Sequence, residues 1–283
     1  MDDKKSGIKQ NLTNYGDLGF SIFLRKSFIK GLGYSDEMLD KPIVGIINTF
    51  SNYNSCHGNV PDLIQSVRAG VLAQGAIPLE FPTISVHEAF SYPTSMYLRN
   101  LMAIDTEEMI RAQPMDSCVL IGGCDKTVPA QLMGALSVDM PVIQLVTGPM
   151  LTGSHRGERV GACTDCRRLW AKFRADEINE TEINEANNQL VPTVGTCGVM
   201  GTASTMAIIT ETLGMMAPDS SCAPAVSSER RRISEKTGQI AVDIATKKRR
   251  PSSILTAKSF ENALIVLLAI GGSTNGLIHL TAI

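Results

Sequence analysis

Residues 117–138, SCVLIGGCDKTVPAQLMGALSV, join an apolar run to a helical pattern through a short polar turn. The run 117–123 predicts a buried strand, and the segment 130–138, which follows Pro129, predicts a helix. Between them lie a thiol, a carboxylate and an amine, contributed by Cys124, Asp125 and Lys126. A polar loop without function is the alternative interpretation of these three residues. A strand followed directly by a helix is the repeating unit of α/β folds, so this stretch predicts the fold class.

The same order of elements recurs along the chain. Apolar runs at 42–50, 77–86 and 141–148 predict further strands, and the segment 61–75 has helical spacing. The polar stretch 172–189 predicts one exposed helix. No internal repeat or low-complexity linker divides the chain. Strands that alternate with helices predict an α/β fold with a mainly parallel sheet flanked by helices.

Composition excludes several classes of protein. With 283 residues, 43% of them apolar, the chain can build a sizeable core. The 26 basic and 28 acidic residues nearly cancel, which argues against nucleic acid or an anionic membrane as a partner. The longest apolar stretch, 263–272, is shorter than the roughly 20 residues of a membrane span. Residues 1–10 lack the apolar centre of a signal peptide, so we expect a cytoplasmic protein.

The seven cysteines need an explanation other than disulfides, because disulfides are rare in the cytosol and the number is odd. Cys56, Cys124 and Cys197 each lie between an apolar run and a helical pattern, and Glu88 has a similar position. In parallel sheets such positions meet at the carboxyl ends of the strands. Three thiolates without a fourth suit an iron–sulfur cluster with one open coordination position. Glu88 and Asp125 offer hard oxygen ligands, which suit Mg²⁺.

Another pair of thiols, Cys163 and Cys166, has the C-x-x-C spacing of zinc and redox sites. A zinc ribbon needs a second such pair, which the sequence lacks, and the motif follows the loop TGSHRGERVG instead of opening a helix after a strand. A non-catalytic iron–sulfur or zinc protein that uses this pair remains the alternative from another functional class. Cys118 is interpreted as a small hydrophobe inside a strand, and Cys222 as an ordinary thiol.

Several separated motifs carry a resemblance to a known family. They are NTFSNYNSCHGN, EFPTISVHEAF, IGGCDKTVPAQLMGAL, VPTVGTCGVMGTASTMA and IGGSTNGLIHL. In this order they resemble the dihydroxy-acid and sugar-acid dehydratases, a family that includes phosphogluconate dehydratase, from about Phe20 to the last residue. The resemblance implies that a [2Fe–2S] or [4Fe–4S] cluster is held by Cys56, Cys124 and Cys197. It also implies that Mg²⁺ is bound by Glu88, Asp125 and a carbamylated Lys126, and it gives the C-x-x-C pair no role in the cluster.

The reaction implied by the resemblance is a hydro-lyase reaction. Water leaves a 2,3-dihydroxy carboxylate and a 2-keto acid forms, with Mg²⁺ and the open iron acting as Lewis acids at the two ends of the elimination. EFPTISVHEAF is more similar to the sugar-acid enzymes, which favours arabinonate, xylonate or galactonate as substrate. The alternative is the branched-chain biosynthetic enzyme, whose segment more often ends in two adjacent aspartates. The turn GTCGVMGTAST either binds the substrate carboxylate through backbone N–H groups or serves tight helix packing.

The resemblance also bears on domain organisation. Members of the family are roughly twice as long, and their second, β-rich domain supplies a serine base and a further acidic Mg²⁺ ligand. Residues 1–283 are therefore interpreted as the N-terminal α/β cluster-binding domain of a dehydratase, with two α/β subdomains as an alternative division. We expect a fragment of a homo-oligomer, dimer or tetramer, that is inactive alone and exposes an apolar face at 263–283. If the chain contains a base, His57 and His87 are the first candidates.

Overall fold

A computed structural model describes residues 6–12 and 15–283 of the chain. Residues 1–10, on which the expected lack of a signal peptide rests, therefore lie partly outside the described residues. The strands are β1 (Ile43–Asn48), β2 (Ile77–Pro82), β3 (Ser117–Gly122), β4 (Val142–Val146), β5 (Gly153–His155) and β6 (Glu158–Val160). The helices are α1 (Leu18–Lys30), α2 (Val60–Ala73), α3 (Arg99–Ala112), α4 (Thr127–Val138), α5 (Thr164–Arg174), α6 (Glu180–Leu190), α7 (Thr202–Thr212), α8 (Ser228–Lys247), α9 (Ala257–Ala269) and α10 (Asn275–Ala282).

The main sheet has four strands in the order β2–β1–β3–β4, and all neighbouring strands are parallel. The predicted α/β fold with a mainly parallel sheet is thereby confirmed. The segment 117–138 forms β3 and α4, joined by the four residues 123–126. Helix α4 begins three residues before the predicted segment because Pro129 fits the first turn of a helix, where its missing N–H is not needed.

Alternate residues of the strands enter two separate cores, because successive side chains of a strand point to opposite faces. Val44 and Ile46 of β1 pack with α2 and α8 on one face. Ile43 and Ile47 of the same strand pack on the other face with side chains of α4, α7 and α9. Burial on both faces explains why the strands are continuous apolar runs in the sequence.

Helices α2 and α8 cross closely where each carries a glycine. A Cβ atom on Gly70 would lie 2.0 Å from the carbonyl oxygen of Glu235, and one on Gly238 would lie 2.3 Å from that of Val67. Neither position has room for a side chain, so the two backbones touch. This contact fixes α2, whose first residue follows the loop that carries Cys56.

A smaller unit follows β4. Strands β5 and β6 form an antiparallel hairpin, and helices α5 and α6 share a small core with it around Val160, Leu169 and Leu190. The single helix predicted over 172–189 is wrong, because two helices occupy this stretch. The chain breaks between them at Asp176, which has a positive φ, and Asn179 then caps α6 by accepting a hydrogen bond from the Glu182 N–H.

The apolar run 263–272 lies mostly in α9. Ala263 and Leu267 face the core, whereas Ile265 and Leu268 are 58% and 80% exposed. Within the described part of the chain, no helix is both long and apolar enough to cross a membrane.

Candidate functional site

The order of the strands creates a crevice at the carboxyl ends of β1 and β3. The chain leaves β1 towards β2 on one side and later returns to β3 on the other side. Such a change of direction is where ligands bind in open parallel sheets. Cys56 lies in a short 3₁₀ helix, Ser55–His57, after β1, and Cys124 comes two residues after the end of β3. The sheet therefore brings two of the three predicted thiols to the same crevice.

His57 joins the loops that carry these two cysteines. Its Nε2 accepts hydrogen bonds from the backbone N–H groups of Gly123 and Cys124, at 3.0 and 3.1 Å. The ring proton must then lie on Nδ1, which donates to the carbonyl oxygen of Thr49 at 2.9 Å. Burial lowers the pKa of His57 to about 4, so the ring is neutral at pH 7. With both nitrogens engaged, His57 is a positioning residue and an unsuitable general base.

The three predicted thiols influence one another. Cys56 and Cys124 are only 3% and 4% exposed. Contact with the Cys124 thiol, and then burial, raises the pKa of Cys56 far above its ordinary value. The pKa of Cys197 is also raised, first by its hydrogen bond with Cys163 and then by burial and by the charges of Cys163 and Cys124. The thiols of Cys56 and Cys197 are therefore favoured in the protonated form in this chain.

Cys197 reaches the crevice on a loop. The prediction that it follows a strand of the sheet is wrong, because Thr196 makes only a single bridge to Pro149. That bridge includes hydrogen bonds from the N–H of Met150 to the oxygen of Thr196 and from the N–H of Thr196 to the oxygen of Gly148, both 2.9 Å long. The N–H of Gly195 also donates to the oxygen of Ser55 at 3.1 Å, which ties the loop to the 3₁₀ helix of Cys56.

Cys163 is a fourth thiol at the site, a position that its sequence pattern does not predict. Its Sγ lies 3.8 Å from the Sγ of Cys197. The C-x-x-C motif does open a helix after a strand, contrary to the prediction, since Cys163 is the N-cap of α5 and β6 ends three residues earlier. The hydrogen bond with Cys197 lowers the pKa of Cys163 to about 6, with a smaller contribution from Arg167.

The oxygen ligands predicted from the sequence converge on the amine of Lys126. Its Nζ lies 2.5 Å from Oδ2 of Asp125 and 3.2 Å from Oε2 of Glu88. Burial alone would lower the pKa of Lys126, but the two carboxylates outweigh burial and raise it. Burial likewise would raise the pKa of Glu88, but hydrogen bonds from Ser95 and Thr94 and the charge of Lys126 lower it to about 2. A cation is thus held between two carboxylates.

The carboxylates lie next to the thiols. The Sγ of Cys124 is 3.5 Å from Oδ1 of Asp125, so one loop supplies both kinds of ligand. His87 is half-buried beside Glu88, and its Nδ1 accepts a hydrogen bond from the N–H of Ala89 at 3.1 Å. Across residues 6–12 and 15–283, no three His, Cys, Asp or Glu side chains converge closely enough to hold a single metal ion.

A cavity of about 220 Å³ opens beside Cys197 and reaches the N-terminus of α7. Its lining includes Gly123, Thr196, Gly198 and Ser204. Gly201 caps α7 without any side-chain hydrogen bond, so the first N–H groups of this helix have no side-chain acceptor from the cap. Free N–H groups at the positive end of a helix suit a carboxylate or a phosphate.

Comparison with known proteins adds a family assignment to this geometry. A model described as dihydroxy-acid/6-phosphogluconate dehydratase, N-terminal, matches residues 41–283. The chain belongs to this dehydratase family. The match covers every strand of the main sheet and all six residues predicted as ligands of the cluster and Mg²⁺.

Three relatives illustrate the range of this dehydratase family. The chain is 43% identical to an L-arabinonate dehydratase of Rhizobium leguminosarum bv. trifolii, over 95% of this chain and 47% of the relative. It is 42% identical to a 6-deoxy-6-sulfo-D-gluconate dehydratase of Pseudomonas putida, over 88% of this chain and 43% of the relative. It is 37% identical to a dihydroxy-acid dehydratase of Methanococcus maripaludis, over 91% of this chain and 48% of the relative. The chain spans about half the length of these relatives.

Proposed function

We propose that this chain forms the metal-binding part of a hydro-lyase. The substrate is a sugar acid with hydroxyl groups at C2 and C3, such as arabinonate, xylonate or galactonate, and the product is a 2-keto-3-deoxy acid. The observation that carries this proposal is the meeting of buried thiols with a pair of carboxylates at the crevice between β1 and β3. Soft and hard ligands side by side suit two different metals at one substrate.

Cys56, Cys124 and Cys197 would hold a [2Fe–2S] or [4Fe–4S] cluster. A cluster of several iron and sulfide ions is wider than a single ion, so its ligands need not converge on one point. Three neighbouring thiols, two of them buried and the third on a tied loop, fit such a group. Thiols that bind iron lose their protons, and binding would thereby offset the unfavourable burial of their charges.

Glu88, Asp125 and Lys126 would hold Mg²⁺. The ammonium of Lys126 shows that a positive charge is favourable between the two carboxylates. Once carbamylated, the same side chain would end in oxygen atoms and become an anionic ligand, as predicted from the sequence. When bound, the cluster and Mg²⁺ would supply Lewis acidity to the leaving hydroxyl group and to the carboxylate end of the substrate.

The other residues of the chain orient and enclose the substrate. The N-terminus of α7 would bind a negatively charged group of the substrate through its N–H groups, in the cavity next to Cys197. His57 holds the loop of Cys124 by accepting hydrogen bonds from the N–H groups of Gly123 and Cys124, and its lowered pKa keeps the ring neutral. The abstraction of the C2 proton is assigned to none of these residues, in line with the serine base expected from the second domain of the family.

Sugar acids are the first choice of substrate, since the relatives of 43% and 42% identity are named for them. The second choice is a branched-chain dihydroxy acid, which the relative of 37% identity supports by its name. A cytoplasmic location and a homo-oligomeric full-length protein complete the proposal. A non-catalytic zinc protein is less well supported, because Cys163 faces Cys197 and lies next to the thiol group of the proposed cluster.

The test is purification of the chain under anaerobic conditions, followed by analysis of iron, sulfide and zinc. We expect iron and sulfide with visible absorption, and no stoichiometric zinc. L-Arabinonate, D-xylonate, D-galactonate and a branched dihydroxy acid are then added, and the absorption spectrum and keto-acid formation are measured. A spectral change with the sugar acids alone supports the first choice of substrate. A chain that takes up zinc and no iron or sulfide would overturn the proposal.

A further inference from the structure

The contact between Cys163 and Cys197 has no role in the proposed reaction. Their Sγ atoms lie 3.8 Å apart, although the residues are 34 positions apart in the chain. Both thiols are free, with Cys163 exposed and Cys197 half-buried. A disulfide has an S–S distance of about 2.05 Å, so the two sulfur atoms need to approach by less than 2 Å to form one.

Backbone hydrogen bonds hold each of the two loops that carry these thiols. Thr196, next to Cys197, is bonded on both sides to the segment 148–150. The same segment continues through Leu151, whose N–H donates to Oγ1 of Thr193 at 3.0 Å, into the β5–β6 hairpin. On the other side, the N–H of Ala162 donates to the oxygen of Leu190 at 3.1 Å. The proximity of the two thiols is therefore built into the fold around them.

We propose that Cys163 and Cys197 form a reversible disulfide when Cys197 carries no metal. The oxidant is a small-molecule disulfide such as oxidised glutathione. The thiolate of Cys163 attacks this disulfide, which forms a mixed disulfide and releases one small thiol. The thiolate of Cys197 then attacks the sulfur of Cys163, which forms the internal disulfide and releases the second small thiol. Two electrons pass from the two cysteines to the oxidant. The two thiol protons of the cysteines end on the two small thiols that are released.

The consequence for metal loading rests on the proposed function. A disulfide at Cys197 leaves only Cys56 and Cys124 available for a cluster, and two thiols are too few for the three-thiol site. Loading with iron and sulfide would then require prior reduction. Cys163 thus acts as a redox-sensitive block on Cys197, and the metal-loaded chain is protected because its Cys197 is occupied.

The first experiment maps disulfides in the metal-free chain. The chain is reduced, incubated anaerobically with oxidised glutathione, treated with N-ethylmaleimide and digested for mass spectrometry. We expect the seven free thiols to fall to five and the major cross-linked peptides to contain Cys163 and Cys197. Cys163→Ser and Cys197→Ser should each abolish this product, whereas Cys222→Ser, which removes another exposed thiol, should leave it intact. A predominant Cys163–Cys166 or Cys56–Cys124 disulfide, or stable glutathione on Cys163, would overturn the proposal.

The second experiment measures cluster loading from iron and sulfide by visible absorption. The oxidised wild-type chain should load poorly until dithiothreitol is added, and Cys163→Ser should load equally well with and without earlier oxidation. Equal loading of oxidised and reduced wild type, with the disulfide present, would refute the block. Failure of the reduced wild-type chain to load would count against the proposed cluster site, while the disulfide map would still decide the chemistry of Cys163 and Cys197.

Discussion

The thiol site has two halves that differ in how the fold holds them. Cys56 and Cys124 lie on connections that follow two adjacent parallel strands, are almost fully buried and are joined through His57. Cys163 and Cys197 come from loops beyond the main sheet and are partly open to solvent. Burial protects the first pair from reagents and fixes its geometry, whereas exposure leaves the second pair open to thiol exchange. We therefore expect the first pair to serve metal binding alone. The second pair should also undergo thiol–disulfide exchange.

The largest expected effect is the loss of the cluster when a thiol of the buried half is removed. Cys124→Ser should abolish visible absorption and reduce bound iron and sulfide to background, because a hydroxyl group is a poor ligand for iron in place of a thiolate. Circular dichroism should show that the fold is kept, since serine is slightly smaller and can donate a hydrogen bond. Normal cluster content in Cys124→Ser would contradict the proposed difference between the two halves, because the buried half would then not bind the metal.

The replacement Lys126→Arg tests the oxygen ligands beside the buried half. The guanidinium stays charged and cannot react with carbon dioxide, so we expect Mg²⁺ binding and any turnover to be lost while the fold remains. Magnesium titration in bicarbonate buffer, followed by calorimetry, measures the effect. Lys258→Arg at an exposed lysine is the matched control. Unchanged Mg²⁺ affinity in Lys126→Arg would exclude a carbamate at this position.

Much of the buried half was predictable from the sequence. Strands buried on both faces are continuous apolar runs, and the residues that follow them meet by the geometry of a parallel sheet, which is why Cys56 and Cys124 were placed correctly at one crevice. The loop half lacks such a rule. Cys197 is held by a single bridge to Pro149, and Cys163 is brought to it by a hairpin of only three residues per strand. Contacts between distant loops of this kind leave no periodic pattern in the sequence.

Replacement of His57 tests whether its hydrogen bonds hold the loop of Cys124 in position. His57→Phe would leave the N–H groups of Gly123 and Cys124 without an acceptor, at a cost of about 1–3 kcal/mol for each buried donor. We expect lower stability in urea unfolding and faster loss of the cluster to a chelator. His57→Gln is the control, since its amide oxygen can accept in place of Nε2. Equal losses in both variants would mean that ring packing, and not hydrogen bonding, positions Cys124.

A second buried imidazole, that of His279, makes the stability of the fold depend on pH. His279 in α10 is fully buried, and its Nδ1 lies 3.1 Å from Nη1 of Arg99. Burial, and then the charge of Arg99, lowers the pKa of His279 from 6.5 to about 4, against a weaker opposing effect of Asp125. The unfolded chain therefore binds a proton between these two values that the folded chain does not bind.

The contribution of neutral His279 to the free energy of unfolding is fully present above pH 6.5 and is lost as the pH falls towards 4. The loss should be on the order of a few kcal/mol at most, since each unit of difference between the two pKa values corresponds to about 1.4 kcal/mol. Because His57 contributes in the same direction, the measurement is the difference between wild type and His279→Asn in urea unfolding at several pH values. The variant should show a weaker dependence on pH between 4 and 6.5, and an unchanged dependence would refute a neutral His279.

The smallest expected effect is at the exposed half, where Cys163→Ser should leave the cluster content of the anaerobically loaded chain unchanged. Cys163 lies close to Cys197, yet it is exposed and belongs to a separate helix, and three other thiols complete the proposed ligand set. Visible absorption and iron analysis of Cys163→Ser and Cys166→Ser, beside wild type, measure the effect. Bleaching in Cys163→Ser alone would make this thiol a fourth ligand of the cluster. The proposed open position on iron, and with it the reason for expecting chemistry at this site, would then be lost.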